Sequence, residues 1–185
     1  MAIEMSFSDA SEFCQKSNFA DRICVAASNS PKSVTLSGDA DAIREAQGLL
    51  ETSCSAKLLR VDKAYHSYHM NSSAEPYLRS LRACDLQVCS GDPSCVWISS
   101  ITGDYIANQT RLKDMYWVDN MVQPVLFAQA IGRAMRDAGP FEAIIEVGPH
   151  PTLEAPVTQT VNSVMGSTAP YCALLRRGYK DVESF

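Results

Sequence analysis

Apolar and polar positions along the chain fall into two stretches. Ala2 to Met5 alternates apolar and polar like a short strand, and Ser8-Asp9 followed by Glu12 has the spacing of a capping box, predicting a helix to about Asn18. Arg22 to Ser28 is rich in small and β-branched residues, Asn29-Ser30-Pro31-Lys32 is a turn, and Val34 and Leu36 alternate with Ser33, Thr35 and Ser37, which predicts a hairpin. Asp39 stands where it can cap a second helix with Ile43, Ala46, Leu49 and Leu50 on one face, and Lys57 to Val61 supplies a last strand. Strand, helix, strand, strand, helix, strand over residues 1–62 predicts an α+β unit of the split βαβ, or ferredoxin-like, kind, with two helices over one face of a four-stranded antiparallel sheet. Nothing in this unit gathers His, acids or glycines into a site, so it reads as a packing module.

Residues 63–185 have a different rhythm. A helix is predicted from about Asn71 to Ala83 with Tyr77, Leu78 and Leu81 as its buried side. Three separated apolar runs follow: Val96-Trp97-Ile98, Ile144-Ile145-Glu146-Val147, and Tyr171-Cys172-Ala173-Leu174-Leu175. Between the first two, a helix is predicted to start at Pro124, to carry Val125, Ala128, Ile131 and Met135 on one face, and to stop at Gly139-Pro140. Strands alternating with helices predict a parallel α/β sheet, and three short strands are too few to cover and close one. The sheet is expected to be completed by polypeptide from elsewhere.

Composition narrows the function classes. The 185 residues are 46% hydrophobic, and 16 Lys+Arg against 21 Asp+Glu give a formal charge of −5 with no basic run, which disfavours nucleic-acid or anionic-membrane partners. No apolar stretch approaches the roughly 20 residues needed to cross a bilayer. The first residues, Met1-Ala2-Ile3-Glu4-Met5, lack the features of a secretory signal, so a cytoplasmic location is expected. Seven cysteines with no Cys-x-x-Cys pair favour neither a disulfide framework nor a thiolate zinc site, and they read as reduced thiols, mostly core fillers.

Candidate chemistry centres on three histidines. His66 and His69 lie in Ala64-Tyr65-His66-Ser67-Tyr68-His69-Met70, just after the last strand of the first unit, where an imidazole suits a general base. The alternative reading is that one of them caps the following helix. A metal site at His66-x-x-His69 needs a further ligand; His150 is available, but no acid- or Cys-rich partner stands at zinc spacing, so no metal is expected. His150 follows the strand in Glu146-Val147-Gly148-Pro149-His150-Pro151, either lining a pocket at a strand's carboxyl end or holding its own loop.

These segments, with Ala26-Ala27-Ser28-Asn29-Ser30-Pro31, Val34-Thr35-Leu36-Ser37-Gly38-Asp39, Tyr116-Trp117-Val118-Asp119-Asn120-Met121-Val122-Gln123-Pro124-Val125, and Pro170-Tyr171 with Leu175-Arg176-Arg177-Gly178, occur in family order. Together they resemble the acyltransferase domain of fungal highly reducing polyketide synthases, itself similar to malonyl-CoA:acyl-carrier-protein transacylases. The resemblance implies a ferredoxin-like subdomain, residues 1–62, inserted in an α/β-hydrolase-like subdomain whose carboxyl-terminal portion is residues 63–185, with the active site between them. It implies a two-step exchange in which a serine takes malonyl from CoA and passes it to the phosphopantetheine thiol of an acyl carrier protein. No cofactor is implied for this chain itself. His66 matches the family's catalytic histidine and Asn120 the position whose main-chain carbonyl orients it. Tyr65 and Ser67 flank the histidine at substrate-binding positions, and the aromatic Tyr65 goes with malonyl rather than methylmalonyl.

One departure is large. The family's nucleophile sits in a Gly-His-Ser-x-Gly elbow, and no Gly-x-Ser-x-Gly occurs in this sequence. The matching Gln of the oxyanion hole and Arg of the malonyl site are absent too. Many family members also carry His at the position of Tyr68. The chain is therefore expected to be inactive alone, needing an amino-terminal half of the domain that carries the serine, or to act as a non-catalytic module on a carrier protein. A hydrolase using Ser67 or a cysteine is a third reading, and adjacent strand-end residues pointing apart argue against Ser67.

Overall fold

The computed structural model describes residues 1–89, 91–92, 94–106 and 112–179. The first unit comprises β1 (Ala2–Ile3), α1 (Phe7–Cys14), β2 (Ile23–Ser30), β3 (Ser33–Gly38), α2 (Ala40–Leu50) and β4 (Ala56–Lys57). Its sheet runs β2-β3-β1-β4 with every neighbouring pair antiparallel, Ala2 lying between Thr35 on β3 and Lys57 on β4. Ile3, Val34 and Leu36 of the sheet and Phe13, Ala42 and Ala46 of the helices form one buried cluster, with Phe19 under it and its ring 4.8 Å from that of Phe13.

Three local expectations are corrected here. The cap of α1 is Ser6, whose hydroxyl accepts from the Asp9 amide at 3.2 Å and donates to the Asp9 carboxylate at 2.7 Å, so the helix begins before the predicted Ser8-Asp9. It ends at Cys14 rather than Asn18, because Phe19 must turn back into the core. The last strand covers only Ala56–Lys57; Leu58, Leu59 and Val61 leave the sheet with exposed side chains.

β2 and β4 are the edge strands, and the outer edge of β2 is met at Ala27. The register of β2 against β3 shifts between Val25 and Ala27, and there Val125 forms a parallel bridge to Ala27: the Val125 amide donates to the Ala26 carbonyl at 2.9 Å and the Ser28 amide to the Val125 carbonyl at 2.8 Å. The second stretch is thereby sutured to the first.

That second stretch holds α3 (Asn71–Ala83), β5 (Ile98–Ser99), β6 (Asp104–Tyr105), α4 (Met115–Val122), α5 (Phe127–Asp137), β7 (Ile144–Glu146), α6 (Glu154–Met165) and β8 (Tyr171–Ala173). α3 has the predicted bounds but no buried residue: Leu78 and Leu81 are half-buried and Tyr77 is exposed. The expected three-stranded parallel sheet is corrected to a parallel pair, β7 with β8, in register Ile144 to Tyr171. The Val96-Trp97-Ile98 run ends instead in an antiparallel hairpin, Ile98 opposite Tyr105. Neither α4 nor α6 is predicted by periodicity. α5 starts at Phe127 rather than Pro124 because Val125 is committed to the β2 edge. α5 and α6 pack through Met135, Val157 and Val161, while Ile145 of β7 and Val147 just after it are 59% and 83% exposed. The whole is a mixed α/β fold, and among the described residues no helix is long and apolar enough to cross a membrane.

Two glycines test this packing in opposite directions. Gly38 has φ 149°, and a Cβ there would stand 2.1 Å from the Arg22 carbonyl oxygen and 2.7 Å from the Ile23 Cα. Gly38→Ala is expected to cost roughly 2–4 kcal/mol. Gly48, inside α2, has nothing within 4 Å of such a Cβ, so Gly48→Ala is expected to gain about 0.5–1 kcal/mol. Urea midpoints of the two variants on either side of wild type are the check.

Candidate functional site

The chain leaving β4 crosses into α3 through residues 62–70, and His66 sits in that crossing with φ 55°, a backbone region costly for a side chain of this size. Neighbours hold it there. Ser67, which is buried, donates its hydroxyl to the Ala64 carbonyl at 2.6 Å and accepts from the His69 amide at 3.3 Å, capping a single 3-10 turn over Tyr68–Met70. The Cys24 thiol of β2 donates to the His66 carbonyl at 3.5 Å.

The His66 ring is fixed from the other side. Its Nδ1 lies 2.9 Å from the main-chain carbonyl of Gln123. A carbonyl only accepts, so Nδ1 carries the hydrogen, and in the neutral ring the Nε2 lone pair is left open. Gln123 follows the last turn of α4, where its amide still donates to the Asp119 carbonyl at 2.8 Å, but its own backbone is extended, φ −86° and ψ 158°. Proline at 124 enforces that conformation on the residue before it, which turns the carbonyl out of the helix. The orienting carbonyl is therefore Gln123 and not the expected Asn120, which lies within α4 with its side chain exposed. The Gln-Pro pair was the sequence signal that could have found it.

His69 is held in the opposite sense. Its Nε2 donates to Asp39 Oδ1 at 2.9 Å, and the Tyr68 hydroxyl donates to the same oxygen. Arg22 Nε stands 3.9 Å from the other oxygen while its terminal nitrogens pair with Asp41 at 2.8 Å and Glu45 at 3.7 Å. The Tyr68 hydroxyl, and then His69, hold the Asp39 carboxyl below the usual carboxylate range, and the same bond pushes the Tyr68 phenol up to about 12. Neither histidine caps a helix; Ser67 does. Among the described residues no group of three His, Cys, Asp or Glu stands together as metal ligands.

A cleft of about 420 Å³ opens between β3, the start of α2 and the crossing, with His66, His69, Tyr65, Leu59 and Val61 among its walls. Tyr65 is half exposed on it. Two expected site residues fall away from this surface. Ser67 is buried, its hydroxyl is engaged by the turn, and it does not line the cleft. His150 lies after β7 and does not line the cleft that holds His66. In its segment the working group is Glu146, whose carboxylate accepts from Tyr171, from the Thr152 amide and hydroxyl and from the Leu153 amide, tying β7 to β8 and to the start of α6. Burial acts to raise Glu146, but those hydrogen bonds outweigh it and hold the group below the usual range.

The cysteines do not offer a nucleophile at the cleft. Burial pushes Cys14 up to about 12 and raises Cys24 as well, against thiolate formation. Cys14 alone of the seven is buried, and Cys84, Cys89, Cys95 and Cys172 are exposed, so most are not core fillers as expected.

Residues 3–185 match the family described as acyl transferase domain. The highly reducing polyketide synthase ACTTS3 of Alternaria alternata is 49% identical over 189 aligned residues, covering 100% of this chain and 8% of that protein. The acyltransferase domain from the second module of the salinomycin polyketide synthase superposes with a TM-score of 0.75 at 28% identity, over 100% of this chain and 41% of that one. The malonyl CoA-acyl carrier protein transacylase of Clostridium perfringens shares the fold, with a TM-score of 0.76 at 21% identity over 98% of this chain and 54% of that one. The chain thus spans less than a tenth of its curated relative and about half of each solved structure.

The acid limb of stability should report Asp39. A carboxyl held low in the folded state stabilises it above the unfolded pKa of about 3.9, and that contribution is lost as pH falls through the folded value. The stability difference between wild type and Asp39→Asn, from urea unfolding, is therefore expected to be largest at pH 5 to 7 and to shrink towards pH 2. A constant difference would mean that the carboxylate is not ionised in this pairing.

Proposed function

As this chain belongs to the acyl transferase domain family, we propose that it forms the carboxyl-terminal part of a polyketide synthase acyltransferase that moves malonyl from CoA to the phosphopantetheine thiol of an acyl carrier protein. The observation that carries this reading is the His66 ring, which lines a cleft and has its Nδ1 committed to the Gln123 carbonyl. In it, residues 1–62 are a ferredoxin-like subdomain and residues 63–185 the carboxyl-terminal portion of an α/β-hydrolase-like one; the sheet order β2-β3-β1-β4 supports the first.

In the first half-reaction His66 Nε2 takes the proton of a serine hydroxyl as its oxygen bonds to the malonyl carbonyl carbon. The C–S bond to CoA then breaks, and the proton returns to the departing thiolate. In the second, Nε2 takes the carrier thiol's proton while sulfur attacks the acyl-serine ester, and gives it back to the serine oxygen as the C–O bond breaks. The serine belongs to polypeptide outside these residues, since no Gly-x-Ser-x-Gly elbow occurs among the 185. The exposed Ile145 of β7 and Val147 just after it suit a surface that such a segment covers. The half-exposed Tyr65 ring beside His66 takes space that an α-methyl group would need, which favours malonyl by about 1–3 kcal/mol. The second reading, a non-catalytic module that docks on a carrier protein, rests on the same missing elbow.

Acyl-enzyme formation in an acyltransferase domain reconstituted with the serine-bearing half decides between them. His66→Ala is expected to lower loading by about 10³-fold or more, whereas His69→Ala and His150→Ala retain measurable loading. Full loading by His66→Ala removes the general-base assignment, and equal loading from malonyl- and methylmalonyl-CoA removes the argument from Tyr65.

A further inference from the structure

Asp39 occupies the residue before α2 with the extended backbone of a helix cap, φ −62° and ψ 133°, yet its side chain makes no capping hydrogen bond. An aspartate there ordinarily takes an amide of the first turn. This one reaches across to the crossing and accepts from the Tyr68 hydroxyl and from His69 Nε2. The turn it grips is the one that follows His66, and His66 needs a grip, because its φ of 55° is a conformation the surroundings must impose. The crossing is short, with Met70 NH donating to the Ser67 carbonyl at 3.0 Å, so a hold on Tyr68 and His69 is transmitted to His66 within three residues.

We propose that the Asp39 carboxylate is a positioning residue for the His66 imidazole, clamping the Tyr68–Met70 turn to the start of α2 so that His66 Nδ1 meets the Gln123 carbonyl and Nε2 faces the cleft. The imidazole is then held between two anchors. Gln123 fixes the ring from α4, and Asp39 fixes the backbone beneath it from the small unit. Arg22 backs the clamp, since the Asp39 amide donates to the Arg22 carbonyl at 2.8 Å and the guanidinium stands near the carboxylate while paired to Asp41 and Glu45. The proposal rests on the role given to His66 above, and its test separates the two.

The test reads ring nitrogens by ¹⁵N NMR on the labelled 185-residue chain at a pH where His66 is neutral. In wild type, His66 shows Nδ1 protonated and Nε2 bare. Asp39→Asn moves the tautomer ratio of His66 towards Nε2–H by about fivefold, and Tyr68→Phe moves it the same way by a smaller factor. Asp41→Asn, which loosens Arg22 but leaves the Tyr68 and His69 bonds to Asp39, leaves the ratio unchanged. A merely structural Asp39 would lower the melting temperature and leave the ratio as in wild type. If Asp39→Asn does not fold, Tyr68→Phe decides alone. An unaltered His66 ratio in every folded variant of Asp39 and Tyr68 overturns the clamp, whereas a wild type already lacking the Nδ1–H form overturns the general-base reading of His66 itself.

Discussion

The edge of β2 is the constraint on which the rest depends. An edge strand presents unpaired amides and carbonyls that must be satisfied, and here the Ala26 carbonyl and the Ser28 amide are taken by Val125. That pairing does more than close an edge. It fixes Val125, hence Pro124, hence the extended Gln123, whose carbonyl receives His66 Nδ1. The same strand supplies Cys24, whose thiol meets the His66 carbonyl. A four-stranded sheet thus sets both the acceptor and the backbone of the His66 ring, the proposed general base.

How much of this was legible in the sequence follows from the range of the interactions involved. α3 over Asn71–Ala83 and the β2–β3 hairpin were readable because periodicity and turn chemistry are local. The start of α5 was misplaced because Pro124 is a good first-turn residue in isolation, and the sheet edge that claims Val125 lies nearly a hundred residues earlier. Val96-Trp97-Ile98 was read as part of a parallel sheet on its apolarity alone; Trp97 instead packs edge-on to Tyr116, 5.6 Å between centroids. Of the residues that line the cleft, His66 and Tyr65 stood out in the sequence, while the acceptor for the His66 ring was set at Asn120, three residues from Gln123. Asp39 was seen only as a cap, since nothing local shows that its carboxylate is needed elsewhere. Glu146 was passed over for the more conspicuous His150, although the carboxylate is the group that organises that loop.

The two histidines of one short segment show how the same ring is given different work. His66 donates from Nδ1 to a neutral carbonyl and keeps Nε2 open; His69 donates from Nε2 to a carboxylate and so closes that nitrogen. A carboxylate places a full charge beside the ring it holds, whereas a carbonyl orients a ring without one. The carboxylate is then free to act one step removed, on the turn rather than on the ring. Placing Asp39 on His69 and Gln123 on His66 leaves one imidazole for the proposed proton transfers and ties the other to the start of α2.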